Sequence, residues 1–205
     1  MIGELLFPNR AYRRALGKAL SAAGAAPSRG AIAGELRLHY KKIRREIPGS
    51  YPFQTRFLLK LAARNVALYR VMKTRGADAE FINDLLGKIN WTVSKNIGRP
   101  LYLLSRVAGA DRKKRLLFID TLLYRYLFVK PFRRDILSRS PGLDFNITAC
   151  PFAEFYKSQD AAGICRFAAC GLDHDLAREW NVGFERTNTI ADGGEWCDFR
   201  FIIKN

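Results

Sequence analysis

A chain of 205 residues, 48% of them hydrophobic, is long enough to bury a substantial core. Its formal charge is +16, and 29 of its 35 Lys and Arg, but only 9 of its 19 Asp and Glu, precede residue 140. No run of about 18 apolar residues offers a membrane-spanning helix, no secretory core leads the chain, and no CxxC pair frames the four cysteines, which read as reduced thiols of a cytoplasmic protein. Residues 10–40 are rich in Arg, Ala and Gly like a transit peptide, a reading that Glu4 and Glu35 weaken.

Asn9 can cap a helix through Ala23, and Gly24–Gly30 is a Gly/Pro/Ser break. A second helix is expected over Ala31–Glu46, with Leu36, Leu38, Tyr40 and Ile43 among its apolar residues. Ile47–Pro52 is a turn. A third helix over Phe53–Thr74 carries the stripe Phe57, Leu58, Leu61, Val66, Leu68 and Val71. Asp78 caps a fourth through about Ser94. Asn96–Pro100 then interrupts before a shorter helix over Leu101–Val107.

Asp111 caps a long helix expected to reach Leu137, bent at Pro131. It is apolar almost all round, the profile of a central helix, with Asp120 and Arg125 as interruptions. Its basic flanks make 112–134 a candidate for weak contact with an anionic surface or membrane. The basic residues as a whole are spread over several helices with no arginine-rich block, so they read as a solvated surface and point to no specific nucleic-acid site.

Ser138–Gly142 is the clearest linker. Beyond it lie a strand over Asp144–Ala149, a short helix over Phe152–Ser158 and a longer one over Ala162–Trp180, weakened by Gly171. A β-hairpin turning at Asp192-Gly193-Gly194 closes the chain. Along its second strand Cys197, Phe199 and Phe201 share one face, and Trp196, Asp198 and Arg200 the other. The whole reads as α+β: N-terminal helices packed on a small C-terminal antiparallel sheet with a β-α-α-β-β ending. Residues 1–30 are a partly ordered basic segment and 31–205 a single domain, helical over 31–139 and sheet-containing over 143–203.

The chemistry-bearing residues gather in that last part. Cys150 ends a strand before Pro151. Cys170, Asp173 and His174 fall on one helical face. Cys197 and Asp198 sit on the last strand, so a helix packed on the sheet can bring these groups around one cavity. Three readings of the cysteines compete. One is a nucleophile, which a nearby His, Arg or helix N-terminus would activate. Another is zinc ligation with His174 or Asp173, for which the spacing is long and no paired knuckle exists. The third is burial as small hydrophobes, strongest for Cys165. Asp173 and Asp175 flank His174 and can raise its basicity. Arg186 and Arg200 can pair with Asp198 across strands, or hold a substrate carboxylate. No nucleotide-binding glycine loop is visible, so neither NAD nor ATP, nor any other cofactor or metal, is expected.

Three segments, Cys150-Pro-Phe-Ala-Glu-Phe-Tyr156, Cys170-Gly-Leu-Asp173 and Arg186-Thr-Asn-Thr-Ile-Ala-Asp-Gly-Gly-Glu-Trp-Cys-Asp-Phe-Arg200, resemble the L-2-amino-thiazoline-4-carboxylic acid hydrolase family. The likeness is specific over about 143–203 and diffuse over the preceding helices. It implies hydrolytic opening of a thiazoline ring to a carbamoyl-cysteine. On that reading Asp198 or Asp173 binds the cationic amidine or activates water, and Cys150, Cys170 or Cys197 attacks the C=N carbon or lines the pocket. Arg186 or Arg200 holds the carboxylate, with Thr187 and His174 as further substrate-binding candidates. The ending also looks distantly like the 4-vinyl reductase type of small-molecule-binding domain, which implies a ligand cavity between helix and sheet.

Overall fold

The computed structural model describes residues 9–22, 29–138 and 142–203. The helices are α1 (Asn9–Ala22), α2 (Arg29–Ile43), α3 (Phe53–Thr74), α4 (Ala79–Leu104), α5 (Arg112–Tyr126), α6 (Pro151–Ser158), α7 (Ala162–Cys165) and α8 (Gly171–Glu179). The strands are β1 (Arg133–Ser138), β2 (Leu143–Ala149), β3 (Gly183–Glu185) and β4 (Cys197–Ile202). They form one antiparallel sheet in the order β1-β2-β4-β3. The fold is α+β, as expected, with one more strand than the sequence suggested. The expected breaks at Gly24–Gly30 and Ser138–Gly142 fall largely on 23–28 and 139–141, outside the described residues.

Two apolar clusters make the core. One joins α1–α4 to α6 and the segment after it, through residues such as Leu59, Val66, Leu86, Ile89 and Tyr156. Within it Asn65 and Asn90 exchange side-chain hydrogen bonds at 3.2 Å, and Asn65 also donates to the Tyr156 hydroxyl at 2.9 Å. These buried polar groups therefore satisfy one another. The other cluster joins α5 and α8 to the inner face of the sheet, through Leu116, Ile119, Phe145, Trp180 and Phe201.

Three boundaries differ from expectation, each for a physical reason. α4 runs unbroken through Asn96–Pro100. Pro100 removes one helical hydrogen bond, but Gly98 lets α8 approach closely. A Cβ on Gly98 would lie 2.5 Å from Leu176 Cδ2, and Trp180 Nε1 donates to the Gly98 carbonyl at 3.2 Å. Tertiary packing thus carries the helix past a residue that disfavours it.

α5 stops at Tyr126, eleven residues early: Leu127 leaves helical geometry, the Leu127 and Phe128 N–H groups both close on the Leu123 carbonyl, and Pro131 keeps Lys130 from resuming the helix. Thr55 Oγ1 takes the Lys130 carbonyl at 3.1 Å, and the chain re-forms as β1. Leu116, Ile119, Leu123 and Tyr124 of α5 turn inward onto the sheet while Tyr126 is exposed, and no helix among the described residues is long and apolar enough to cross a membrane.

The closing hairpin is not tight. Residues 186–189 leave the sheet, 190–192 form a 3-10 turn, and Gly193 follows at φ +93°. The Asp198 carboxylate explains this: it accepts the N–H groups of Thr187 (3.0 Å) and Asn188 (2.6 Å), which a regular hairpin would give to the ladder.

Candidate active site

β2 buries alternate residues, Leu143, Phe145, Ile147 and Ala149. Its register sets Phe145 opposite Phe199 and Ile147 opposite Cys197, so one face of β2 and β4 is apolar. Between that face and helices α4, α5 and α8 lies a cavity of about 220 Å³.

All four cysteines line this cavity, with Asp173 and Arg186. Cys150 follows β2 at the N-cap of α6, whose first residue is Pro151. Cys197 begins β4, and its sulfur accepts the Ile190 N–H at 3.2 Å. Cys165 and Cys170 flank a π-turn, Arg166–Cys170, inserted between α7 and α8. In an α-helix residues five apart point about 140° away from each other. The wider π-turn, of a kind frequent at functional sites, instead lets both residues line the one cavity, where the two thiols titrate as an interacting pair. Gly171 suits the turn. Its N–H reaches the Arg166 carbonyl, from which a Cβ would be only 3.3 Å away.

The thiols are therefore unequal. Burial pushes Cys150 up to about 12, although the Ala153 amide pulls the other way. Burial likewise pushes Cys197 up to about 11, against the Ile190 amide. Cys165 is raised by the neighbouring Cys170 thiol and by burial. Cys170 is held below the usual thiol range by its neighbour Cys165, with Arg186 adding to the effect against burial and Asp173.

Arg186 ties the site together. Its Nη1 donates to Asp173 Oδ2 at 2.5 Å and its Nη2 to the Cys170 carbonyl at 2.6 Å. The guanidinium lies 5.2 Å from the Phe199 ring centre, and its side chain is 5% exposed. Burial raises the Asp173 carboxyl above its ordinary range, which Arg186 offsets only in part. Cys170, Asp173 and Arg186 thus form one polar end of an otherwise apolar cavity.

The remaining expected site residues lie elsewhere. Asp198 and Arg200 are on the outer face of β4. Asp198 accepts from Thr187 N and Oγ1 and from Asn188 N. Burial works against its charge, but these donors outweigh it and hold the carboxyl below the usual range. Thr187 spends its hydroxyl on Asp198. Arg200 donates to the Phe145 and Phe199 carbonyls and to Asn146 Oδ1, each at 2.9 Å. The cross-strand pairing of either arginine with Asp198 is thus replaced by Arg186–Asp173 and by Arg200 on Asn146. His174 faces a second, more open cleft, which Arg186 also borders. It packs edge-on against Phe184 with ring centres 4.8 Å apart. Burial and the Arg186 charge lower its basicity, although Asp175 opposes them.

Sequence reasoning missed the partnership of Cys165 with Cys170, for which the five-residue spacing beside Gly171 was the available signal. It also left Asp120 undecided between pocket and surface. The carboxylate borders the cavity and pairs with Arg134 of β1 through both oxygens, while that guanidinium lies 3.5 Å above Tyr124. Among the described residues, no group of three or more His, Cys, Asp or Glu is placed to hold a metal ion.

Neither a curated protein nor a solved structure matches the chain significantly. The profile of L-2-amino-thiazoline-4-carboxylic acid hydrolases matches residues 66–201, from α3 to the last strand and across every element that lines the cavity. The chain belongs to the L-2-amino-thiazoline-4-carboxylic acid hydrolase family.

Proposed function

We propose that this protein is a hydrolase that opens the ring of a small cyclic amidine bearing a carboxylate, of the 2-amino-thiazoline-4-carboxylate kind. The observation that carries the reading is the meeting of Cys170, Asp173 and Arg186 at one end of the cavity. Such a substrate carries an amidinium and a carboxylate. An aspartate and an arginine held side by side offer it one partner of each sign. Desolvation strengthens both contacts.

Two routes fit the residues. In one, the Cys170 thiolate adds to the C=N carbon while the ring nitrogen takes a proton from the Asp173 carboxyl. The ring C–S bond breaks, with the substrate sulfur leaving as thiolate. A water that gives one proton back to Asp173 and one to that sulfur then adds to the same carbon and expels Cys170 as thiolate. In the other, Asp173 takes a proton from a water that adds to the same carbon. Either route breaks one ring bond and yields a carbamoyl-cysteine one water heavier than the substrate. Burial raises the Asp173 carboxyl, which favours its giving a proton as well as taking one.

The test is incubation of purified protein with L-2-amino-thiazoline-4-carboxylate and mass spectrometry of the product. Formation of a species one water heavier, lost in Asp173→Asn, is expected. A Cys170→Ser variant with full turnover would remove the thiol route and leave the water route. No product from the wild type under any condition would sink the reading for this substrate.

A further inference from the structure

We infer that the ligand of this cavity is an amphiphilic acid: a charged head at Arg186 and Asp173, joined to an aromatic or branched aliphatic body. Beyond Cys170, Asp173 and Arg186 the wall is hydrocarbon, formed by Leu101, Ile119, Leu123, Phe128, Phe145 and Phe199 among others. The other ionic and amide groups on it are already committed. Asn65 is bonded to Asn90 and Tyr156, and Asp120 gives both oxygens to Arg134, whereas Asp173 meets Arg186 through Oδ2 alone and is the more exposed carboxylate. Ser94 and Tyr124 add hydroxyls, and Cys150, Cys165 and Cys197 add weakly polar thiols, to a wall that is otherwise hydrocarbon.

The size agrees. At about 220 Å³ the cavity exceeds the roughly 150 Å³ of an apolar cavity that binds benzene. An unsubstituted aminothiazoline acid is polar around most of its edge and would leave the hydrocarbon wall uncovered. A ring substituent, by contrast, would be buried at a gain of ten-fold or more in affinity, about what a buried phenyl or leucine side chain gives. In terms of the proposed reaction, on which this part of the inference rests, the substrate is a cyclic amidine acid carrying such a substituent, and the apolar body aligns the reacting carbon with Cys170.

The experiment uses the full chain and two inert probes, 3-phenylpropionate and propionate, with binding measured by calorimetry. Phenylpropionate is expected to bind at least about ten-fold tighter. That preference is expected to vanish in Leu123→Trp and, independently, in Leu101→Phe, each of which fills the cavity from a different helix, with folding checked by circular dichroism. Equal affinities for the two probes, or a preference untouched in whichever variant folds, would overturn the inference. Turnover is then compared for the aminothiazoline acid with and without a phenyl substituent on the ring. Preference for phenylpropionate without turnover of either compound defeats the hydrolase reading and leaves the ligand class standing. Turnover of the unsubstituted acid without probe preference does the reverse.

Discussion

Cys165 and Cys170 stand at the two ends of a single π-turn and line the same cavity, and the neighbouring Cys165 holds the thiol of Cys170 below its usual range. The thiolate is the reactive form. Iodoacetamide at neutral pH should therefore label Cys170 before the other three cysteines. In Cys165→Ala, which removes the neighbouring thiol, labelling of Cys170 should slow several-fold. Peptide mapping by mass spectrometry decides; Cys150 or Cys197 labelled first would contradict the ordering.

Arg186 and Asp173 form a buried pair, with Asp173 retaining some solvent contact at 29% side-chain exposure. Removing one partner strands the other. Asp173→Leu is expected to cost about 3 kcal/mol, the low end for buried pairs because of that contact. The double variant Asp173→Leu with Arg186→Met should recover part of the loss, since no unpaired charge remains. Urea unfolding of both single variants and the double gives the coupling, and strictly additive losses would show that the pair is not coupled.

The two carboxylates should give stability opposite pH dependence. The folded pKa of Asp198 is lowered, so the stability it contributes is complete above the unfolded value of about 3.9 and is lost as pH falls through the folded value. For Asp173 the folded pKa is raised; the folded chain then binds protons more tightly, and stability grows as pH falls from the raised value toward about 3.9. Asp198→Asn should thus cost about 1–3 kcal/mol at neutral pH and less in acid. Stability measured between pH 3 and 7 checks this; a variant whose deficit is constant across that range would contradict the assignment.

Two glycines should respond in opposite senses to alanine. A Cβ on Gly142 would lie 1.7 Å from the Phe201 carbonyl oxygen, whereas one on Gly87, inside α4, meets nothing within 4 Å. Gly142→Ala should destabilise by about 2 kcal/mol or more, because backbone at the β2–β4 edge must move. Gly87→Ala should stabilise by about 0.5–1 kcal/mol through helix propensity. Thermal melts of the two variants shifting in the same direction would count against this packing.

What the sequence disclosed follows from how local each signal is. Alternation of Cys197, Phe199 and Phe201 marked the inner face of β4, because side-chain direction in a strand is a two-residue property. The helices over 53–74 and 79–94 were legible from their apolar periodicity. β1 was not: mostly exposed at the sheet edge, it lacks a buried stripe, and its residues continued the apolar and basic run of α5. Asp198 drew attention for its chemistry, yet its use is to organise the loop at 187–188, a contact that only the folded chain creates. Cys165 looked inert because burial hid a partner that a departure from α-helical winding supplies.

In the sheet order β1-β2-β4-β3 the last-made strand occupies an interior position. During translation, β2, α6 and the π-turn leave the ribosome with no inner neighbour for β2 and no support for β3. Only when residues 197–202 have emerged can the sheet close over the cavity. A nascent chain arrested just before them would carry three of the four cysteines and the Arg186–Asp173 partners without a chamber to hold them, so acquisition of the site waits for residues 197–202.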